Sequence, residues 1–312
     1  MKRYIFVLVL ILGGLSLFTS CRNDELDPES IFIDPEYDGP DPTAYSFLFD
    51  RWLFDNYLIP YNLQFRYRLE DVGTDMNYNV IPTSYEKSID MAVLVKYLWF
   101  DVYAKVVRED FLKEFGPRII HLIGSAQFNP ANGTLVLGSA EGGLKVTLTQ
   151  CNELSLENMD FANEHFFKTM HHEFGHILHQ RIPLPRDFRL LSPNFYEPFS
   201  WQERSKEEAW SLGFVSPYAS AAPEEDFVET IAVYIVSTDA QWNHILTMAS
   251  IQLDPDVNGR ELIETKLDMC KRWLRGEWNV ELDALRDEVQ IRQANIPIDS
   301  LRRQLTDNYP LD

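Results

Sequence analysis

The pentad His172-Glu173-Phe174-Gly175-His176 constrains this chain more than any other stretch of its sequence. Its chemistry requires a helix. Residues four apart share one helical face and lie about 6 Å apart along the axis, so two imidazoles can converge on one ion. Glu173 is rotated by about 100° but stays beside the site, where a carboxylate can take a proton from water on the metal. Gly175 removes a side chain where another backbone can pass closely. Residues 159–181 carry an amphipathic helical pattern, as the pentad needs. The competing reading is a surface helix that happens to carry His and Glu. Five of the seven histidines fall within positions 165–179, which argues against that accident.

Zinc needs a third protein ligand and an open position for water. His179 shares the helical face, but it lies about 10.5 Å along the axis from His172, too far to meet the same ion on an unbroken helix. A longer HExxHxxGxxH pattern needs Gly at 179 and His at 182, where this chain has His179 and Ile182. The remaining candidates are downstream. Pro223-Glu224-Glu225-Asp226-Phe227-Val228-Glu229-Thr230 opens a second helix, with Glu225 and Glu229 on one face. One of the two can bind metal while the other holds a ligand imidazole by its free N–H. An acidic first turn favoured by the helix dipole explains the acids alone, but not their pairing with the pentad.

The N-terminal segment reads as an address. Lys2 and Arg3 lead into the apolar run Tyr4 to Phe18, which ends in Thr19-Ser20-Cys21. A basic start, an apolar stretch too short to span a bilayer comfortably and small residues before a cut are the parts of a secretory signal. The ending resembles the lipobox of bacterial lipoproteins, in which the Cys is lipidated and becomes the new N-terminus. Phe18 departs from that pattern, standing where Leu is usual. The chain thus divides into a signal peptide (1–20), a lipidated Cys21 with an acidic, Pro-rich tether (21–42) and a folded domain (43–312). Acids directly behind Cys21 resemble the surface-export signal of some Gram-negative lipoproteins; a solvated linker accounts for them equally. Localisation at the outer membrane, on its periplasmic or outer face, follows as the expectation. A net charge of −20 with no basic patch speaks against nucleic acid and anionic lipid as partners.

Within the domain, residues 45–70 read as aromatic-rich helix interrupted at Pro60. Residues 84–115 read as one or two helices, with Met91, Val93, Leu94, Tyr97, Leu98, Val102 and Tyr103 near helical spacing. The period then changes. Ile119 to Phe128, Thr134 to Gly138 and Leu144 to Thr149 are short β-prone runs, separated by the hairpin signals Asn132-Gly133 and Gly142-Gly143. Helix returns over 159–181, about 225–238 and much of 241–305. The expected fold class is α+β: a short antiparallel sheet, a helix carrying the pentad and a mainly helical C-terminal part.

With those residues in view, a resemblance can be stated. His172-Glu173-x-x-His176 with Glu225-x-x-x-Glu229 resembles the gluzincin branch of zinc metallopeptidases. Tyr218, seven residues before Glu225, adds a Tyr-x6-Glu-x3-Glu spacing similar to anthrax-lethal-factor-like and Pro-Pro endopeptidase-like enzymes. In those families the first Glu binds the metal, the second supports a ligand His and the Tyr assists the transition state. The resemblance therefore implies a zincin-like domain with Zn²⁺ held by His172, His176 and Glu225. It gives Glu229 the supporting position, and Glu173 and Tyr218 the catalytic ones. HHEFGHILHQ and EEDFVE behind a lipoprotein signal are similar to the substrate import-associated zinc metallohydrolase lipoproteins, which accompany TonB-dependent nutrient uptake systems. The specific motifs cover about 60 residues, 172–229, and leave the substrate open.

Other features carry less. Asp254-Pro-Asp256-Val-Asn258-Gly259 imitates the start of an EF-hand loop, but position twelve is Thr265 where a bidentate Glu is needed. Cys151 and Cys270 can pair in an oxidising compartment, though two cysteines make no framework. His165 and His171 read as packing residues or as supports for a ligand, rather than as ligands themselves. Two functional classes remain: a lipid-anchored zinc peptidase acting on peptide or glycoprotein material for import, beside a TonB-dependent transporter, and a binding lipoprotein whose zinc is structural or vestigial. The intact Glu173 favours the first, because metal binding alone does not require that acid.

Overall fold

The computed structural model describes residues 39–69, 79–129, 133, 135–136, 138–141 and 144–307. The signal peptide, Cys21, all but the last four residues of the tether, and Asn132 and Gly142-Gly143 of the hairpin signals lie outside the described residues.

Helix α1 runs from Phe47–Leu53 through a π turn, Phe54–Leu58, into Ile59–Tyr61, and stops at Asn62, whose φ of 49° is left-handed. Strand β1, Gln64–Arg66, follows at once. Helix α2 begins at Tyr85–Val95, capped by the Ser84 hydroxyl, which accepts from the Lys87 N–H. It continues through the π turn Lys96–Phe100 into Asp101–Val106, and the short α3 covers Phe111–Phe115. The strands are β2 Ile119–Leu122, β3 Gln127–Phe128, β4 Leu135–Val136, β5 Gly138–Glu141 and β6 Lys145–Leu148.

The fold is mostly helical α+β, but the sheet differs from the antiparallel one expected. Its order is β1-β2-β6-β5; β1, β2 and β6 are parallel, and only β5 runs antiparallel, against β6. Strands β3 and β4 form a separate antiparallel pair. Both antiparallel pairings span the hairpin signals, which are local. The parallel pairings join strands about 25 to 55 residues apart, with α2 and α3 as the crossover between β1 and β2, and parallel strands require such a crossover. Three-residue β1 was absorbed into the stretch read as helix, so its parallel pairing had no visible partner.

Helix α4 is the element that matters for function. The Asn158 side chain caps its start by accepting from the Phe161 N–H. It then runs unbroken over residues 159–181, through Met159–Ala162, the π turn Asn163–Phe167 and Lys168–Arg181. It ends two residues before Pro183, which cannot donate to a helical ladder. Of the short α5 (Lys206–Ser211) and α6 (Pro223–Val236), α6 is the central strut: eleven of its fourteen residues are buried. Pro223 opens it in a position where no N–H is needed, and Glu224, Glu225 and Asp226 occupy the positive end of its dipole. Helices α7 (Asp239–Ala249), α8 (Gly259–Trp278), α9 (Leu282–Gln293) and α10 (Ile298–Asp307) complete the described residues. The EF-hand-like stretch is a turn into α8, where Asn258 accepts from the Glu261 N–H as N-cap. Cys151 and Cys270 are both free and buried; burial pushes the Cys151 thiol up to about 12.

Two residues inside the pentad fix α4 in place. Phe174 is buried edge-on against Trp99, Tyr103 and Phe111, at centroid distances of 5.9, 5.3 and 6.0 Å. A Cβ on Gly175 would stand 2.9 Å from Cγ1 and 3.0 Å from Cβ of Val228 on α6, so the absent side chain is what lets α4 and α6 approach. Val228 lies between Glu225 and Glu229. The contact therefore brings the acids of α6 onto the histidines of α4.

Candidate metal centre

Three potential ligand atoms meet where α4 and α6 cross. His172 Nε2 lies 3.1 Å from Glu225 Oε2 and 3.1 Å from His176 Nε2, and His176 Nε2 lies 3.3 Å from Glu225 Oε2. Zinc bonds of ~2.0–2.1 Å at tetrahedral angles place neighbouring ligand atoms about 3.3 Å apart. Two imidazoles and one carboxylate so disposed are one face of a tetrahedral zinc site, and the donor set suits that ion. No other group of this kind occurs among the described residues.

The far nitrogens of both imidazoles are also held. His172 Nδ1 donates to Glu229 Oε2 at 2.9 Å, so Nε2 is the nitrogen that faces the centre. Glu229 is itself fixed by Lys168 at 3.2 Å and by the Ser216 hydroxyl at 2.9 Å. His176 Nδ1 is 2.7 Å from His179 Nε2. Burial pulls His179 below its ordinary value, which keeps it neutral and able to accept that proton.

Electrostatics here favour a cation. Burial alone would lower His172, but hydrogen bonds to Glu225 and Glu229 outweigh it and hold its pKa up to about 10. Burial would raise Glu229; Lys168 first, then His172 and Ser216, bring it down to about 2. Glu225 is likewise pulled well below the usual carboxylate range by His172 and His176, against its burial. In protein without metal, a proton on His172 thus neutralises part of the negative charge that an ion would meet.

The remaining residues singled out in the sequence are placed as follows. Glu173 is 8% exposed and lines the cleft at the centre together with Tyr218 and Trp201. The Tyr218 ring lies 5.6 Å from that of His172 and meets Trp201 edge-on at 4.9 Å. Burial, then the Glu225 charge, push its phenol far above the ordinary value, so it remains an O–H donor. His165 stacks on Phe161 at 3.8 Å, and His171 turns toward Tyr103; burial takes His171 down to about 3. Two partners, Lys168 and Ser216, escaped the sequence reading, and His179 was weighed only as a ligand and not as the partner of His176. Lys168, four residues before His172 on the same helix, could have been found, whereas Ser216 sits in a loop without periodicity.

Comparisons with known proteins place the chain in a family. The profile of a family described as "Putative zinc-binding metallo-peptidase" matches residues 43–283. A solved structure of the same description, from Bacteroides caccae, is 39% identical with a TM-score of 0.70; the match covers 84% of this chain and 98% of that one. Among curated proteins, none matches.

Proposed function

Because this chain belongs to that family of zinc-binding metallo-peptidases, we propose that it cleaves peptide bonds with zinc held by His172, His176 and Glu225. The observation that carries the reading is the meeting of those three ligand atoms beside Glu173, in a cleft that also holds Tyr218.

Bound zinc supplies two things at such a centre: a water acidic enough to attack at neutral pH, and polarisation of the scissile carbonyl. The protein supplies the rest. Glu173 takes the proton from the attacking water and passes it to the leaving amine. Tyr218 donates its O–H to the carbonyl oxygen as negative charge grows there. Glu229, fixed by Lys168 and Ser216, sets the tautomer of His172, and His179 does the same for His176.

Glu173→Gln tests this reading. The amide cannot accept a proton, so turnover of a peptide library should fall ~10²-fold or more while about one zinc per chain is retained. An unchanged rate would move the protein to the class of binding lipoproteins with a structural zinc.

The address supports a place for the reaction. We propose that lipidated Cys21 and the acidic tether hold the domain at the outer membrane, beside a TonB-dependent transporter that imports the products. Cys21→Ala should shift the protein from the membrane to the soluble fraction on cell fractionation; retention in the membrane would sink the anchor.

A further inference from the structure

Glu229 has more hydrogen bonds than it needs to orient one imidazole. Its Oε2 takes His172 Nδ1 at 2.9 Å, and its Oε1 takes both the Ser216 hydroxyl at 2.9 Å and the Lys168 ammonium at 3.2 Å. The side chains of Glu229 and Lys168 are only 1% and 12% exposed. The imidazole and the hydroxyl already fix the carboxylate through both of its oxygens. What Lys168 adds is charge. Burial would lower its pKa, but Glu229 and then Glu164 hold it above the ordinary value, so it stays an ammonium.

That charge matters because of the number of acids around the centre. Glu225 is there as a ligand, Glu229 acts through His172, and Glu173 faces the same cleft. Three carboxylates more than cancel the two charges of zinc, and an ion so neutralised is a poorer Lewis acid. An ammonium bonded to Glu229 takes one of the three out of that balance. The other acid on Lys168, Glu164, lies at 3.2 Å with its side chain 49% exposed, where water screens it. The placement is helical: Lys168 stands one turn before His172 on α4 and shares its face.

We propose that Lys168, acting through Glu229, is a positioning residue whose charge keeps the bound ion positive toward substrate while lowering zinc affinity. The assignment rests on the metallopeptidase reading, because only a metal that polarises a substrate gains from the retained charge. A residue that merely propped Glu229 would act the other way on affinity, since its loss would loosen His172.

Lys168→Gln in the full chain separates the two roles, because the amide can still donate to Glu229 but carries no charge. In competition with a chelator at pH 7 it should bind zinc roughly tenfold more tightly than the native chain, the scale on which one unit charge acts across a partly buried site. Once loaded, it should bind acetohydroxamate, which ligates metals as an anion, roughly tenfold more weakly. Lys168→Arg keeps the charge and should stay within about threefold of the native chain in both measurements. Lys168→Met, which leaves no new polar group buried, carries the same two expectations if circular dichroism shows the Gln variant unfolded. Zinc bound equally or more weakly without the charge, hydroxamate binding that does not fall, or an Arg variant that behaves like Gln makes Lys168 a structural prop. Each of these overturns the assignment and leaves the metallopeptidase reading intact. A native chain that binds no zinc overturns that reading, and this assignment with it.

Discussion

The phenol of Tyr218 is held by two rings, His172 on one side and Trp201 on the other, and its burial keeps it protonated across the physiological range. A donor in that state stabilises a developing oxyanion more than a neutral carbonyl, so its contribution belongs to kcat. Tyr218→Phe keeps both ring contacts and removes only the O–H. The expected result is a kcat lower by ~10²–10³ with KM and zinc content nearly unchanged, the range for losing one oxyanion donor. A Phe variant with normal kcat would leave the tyrosine a packing residue. The paired positions were legible because helix periodicity turns spacing into direction: 172 with 176, and 225 with 229, each share a face; Tyr218 was reached only through the family resemblance. His179 shows the limit of that logic. Spacing excluded it as a third ligand on the axial distance alone, yet the same spacing puts it against the far side of His176. Which ring nitrogen points where is settled by side-chain rotamers and packing, and those leave no trace in spacing.

At the scale of elements, the crossing of α4 and α6 does most to shape the site, and Gly175 is its hinge point. Replacing a helical Gly by Ala favours the helix by about 1 kcal/mol. Here the new Cβ would fall 2.9–3.0 Å from two carbons of Val228, a fully buried residue that has nowhere to retreat. Overpacking of that kind costs ~1–3 kcal/mol and outweighs the helical gain. Gly175→Ala should therefore melt several degrees lower and bind zinc more weakly, as Glu225 moves off the histidines. Adding Val228→Ala should restore much of both, so that the double variant is more stable than the two single effects predict. Simple additivity in thermal melts would remove Gly175 from the account. The helices themselves were readable from periodicity and caps. The sheet was not, because parallel pairing of β1, β2 and β6 is a long-range choice and a three-residue strand carries almost no pattern.

Across the whole molecule, metal binding, protonation and stability are coupled through the same residues. In protein stripped by a chelator, His172 is held up to about 10, above its ordinary 6.5, by Glu225 and Glu229 against the effect of burial. That contribution to stability is complete below pH 6.5 and is lost as pH rises through 10. Glu229 has the opposite sign: its folded value of about 2 lies below 4.5, so its share is present above pH 4.5 and is lost as pH falls toward 2. His171, held down to about 3 by burial, stays neutral in the fold and so costs stability as pH falls below 6.5, which leaves stripped protein most stable at about pH 6.5. Zinc needs the lone pair of His172 Nε2 and must displace the proton there. At pH 7 binding should release about one proton, and affinity should climb about tenfold per pH unit until His172 deprotonates unaided. Bound zinc also protects the fold by mass action, by about 2.7 kcal/mol at a hundred times Kd, so the melting temperatures of loaded and stripped protein should diverge from pH 6.5 toward 10. Titration calorimetry in buffers of different ionisation enthalpy counts the proton directly. A count near zero at pH 7 would mean that His172 is already neutral in stripped protein, and that Glu225 and Glu229 do not hold the site in the charged arrangement inferred from their distances.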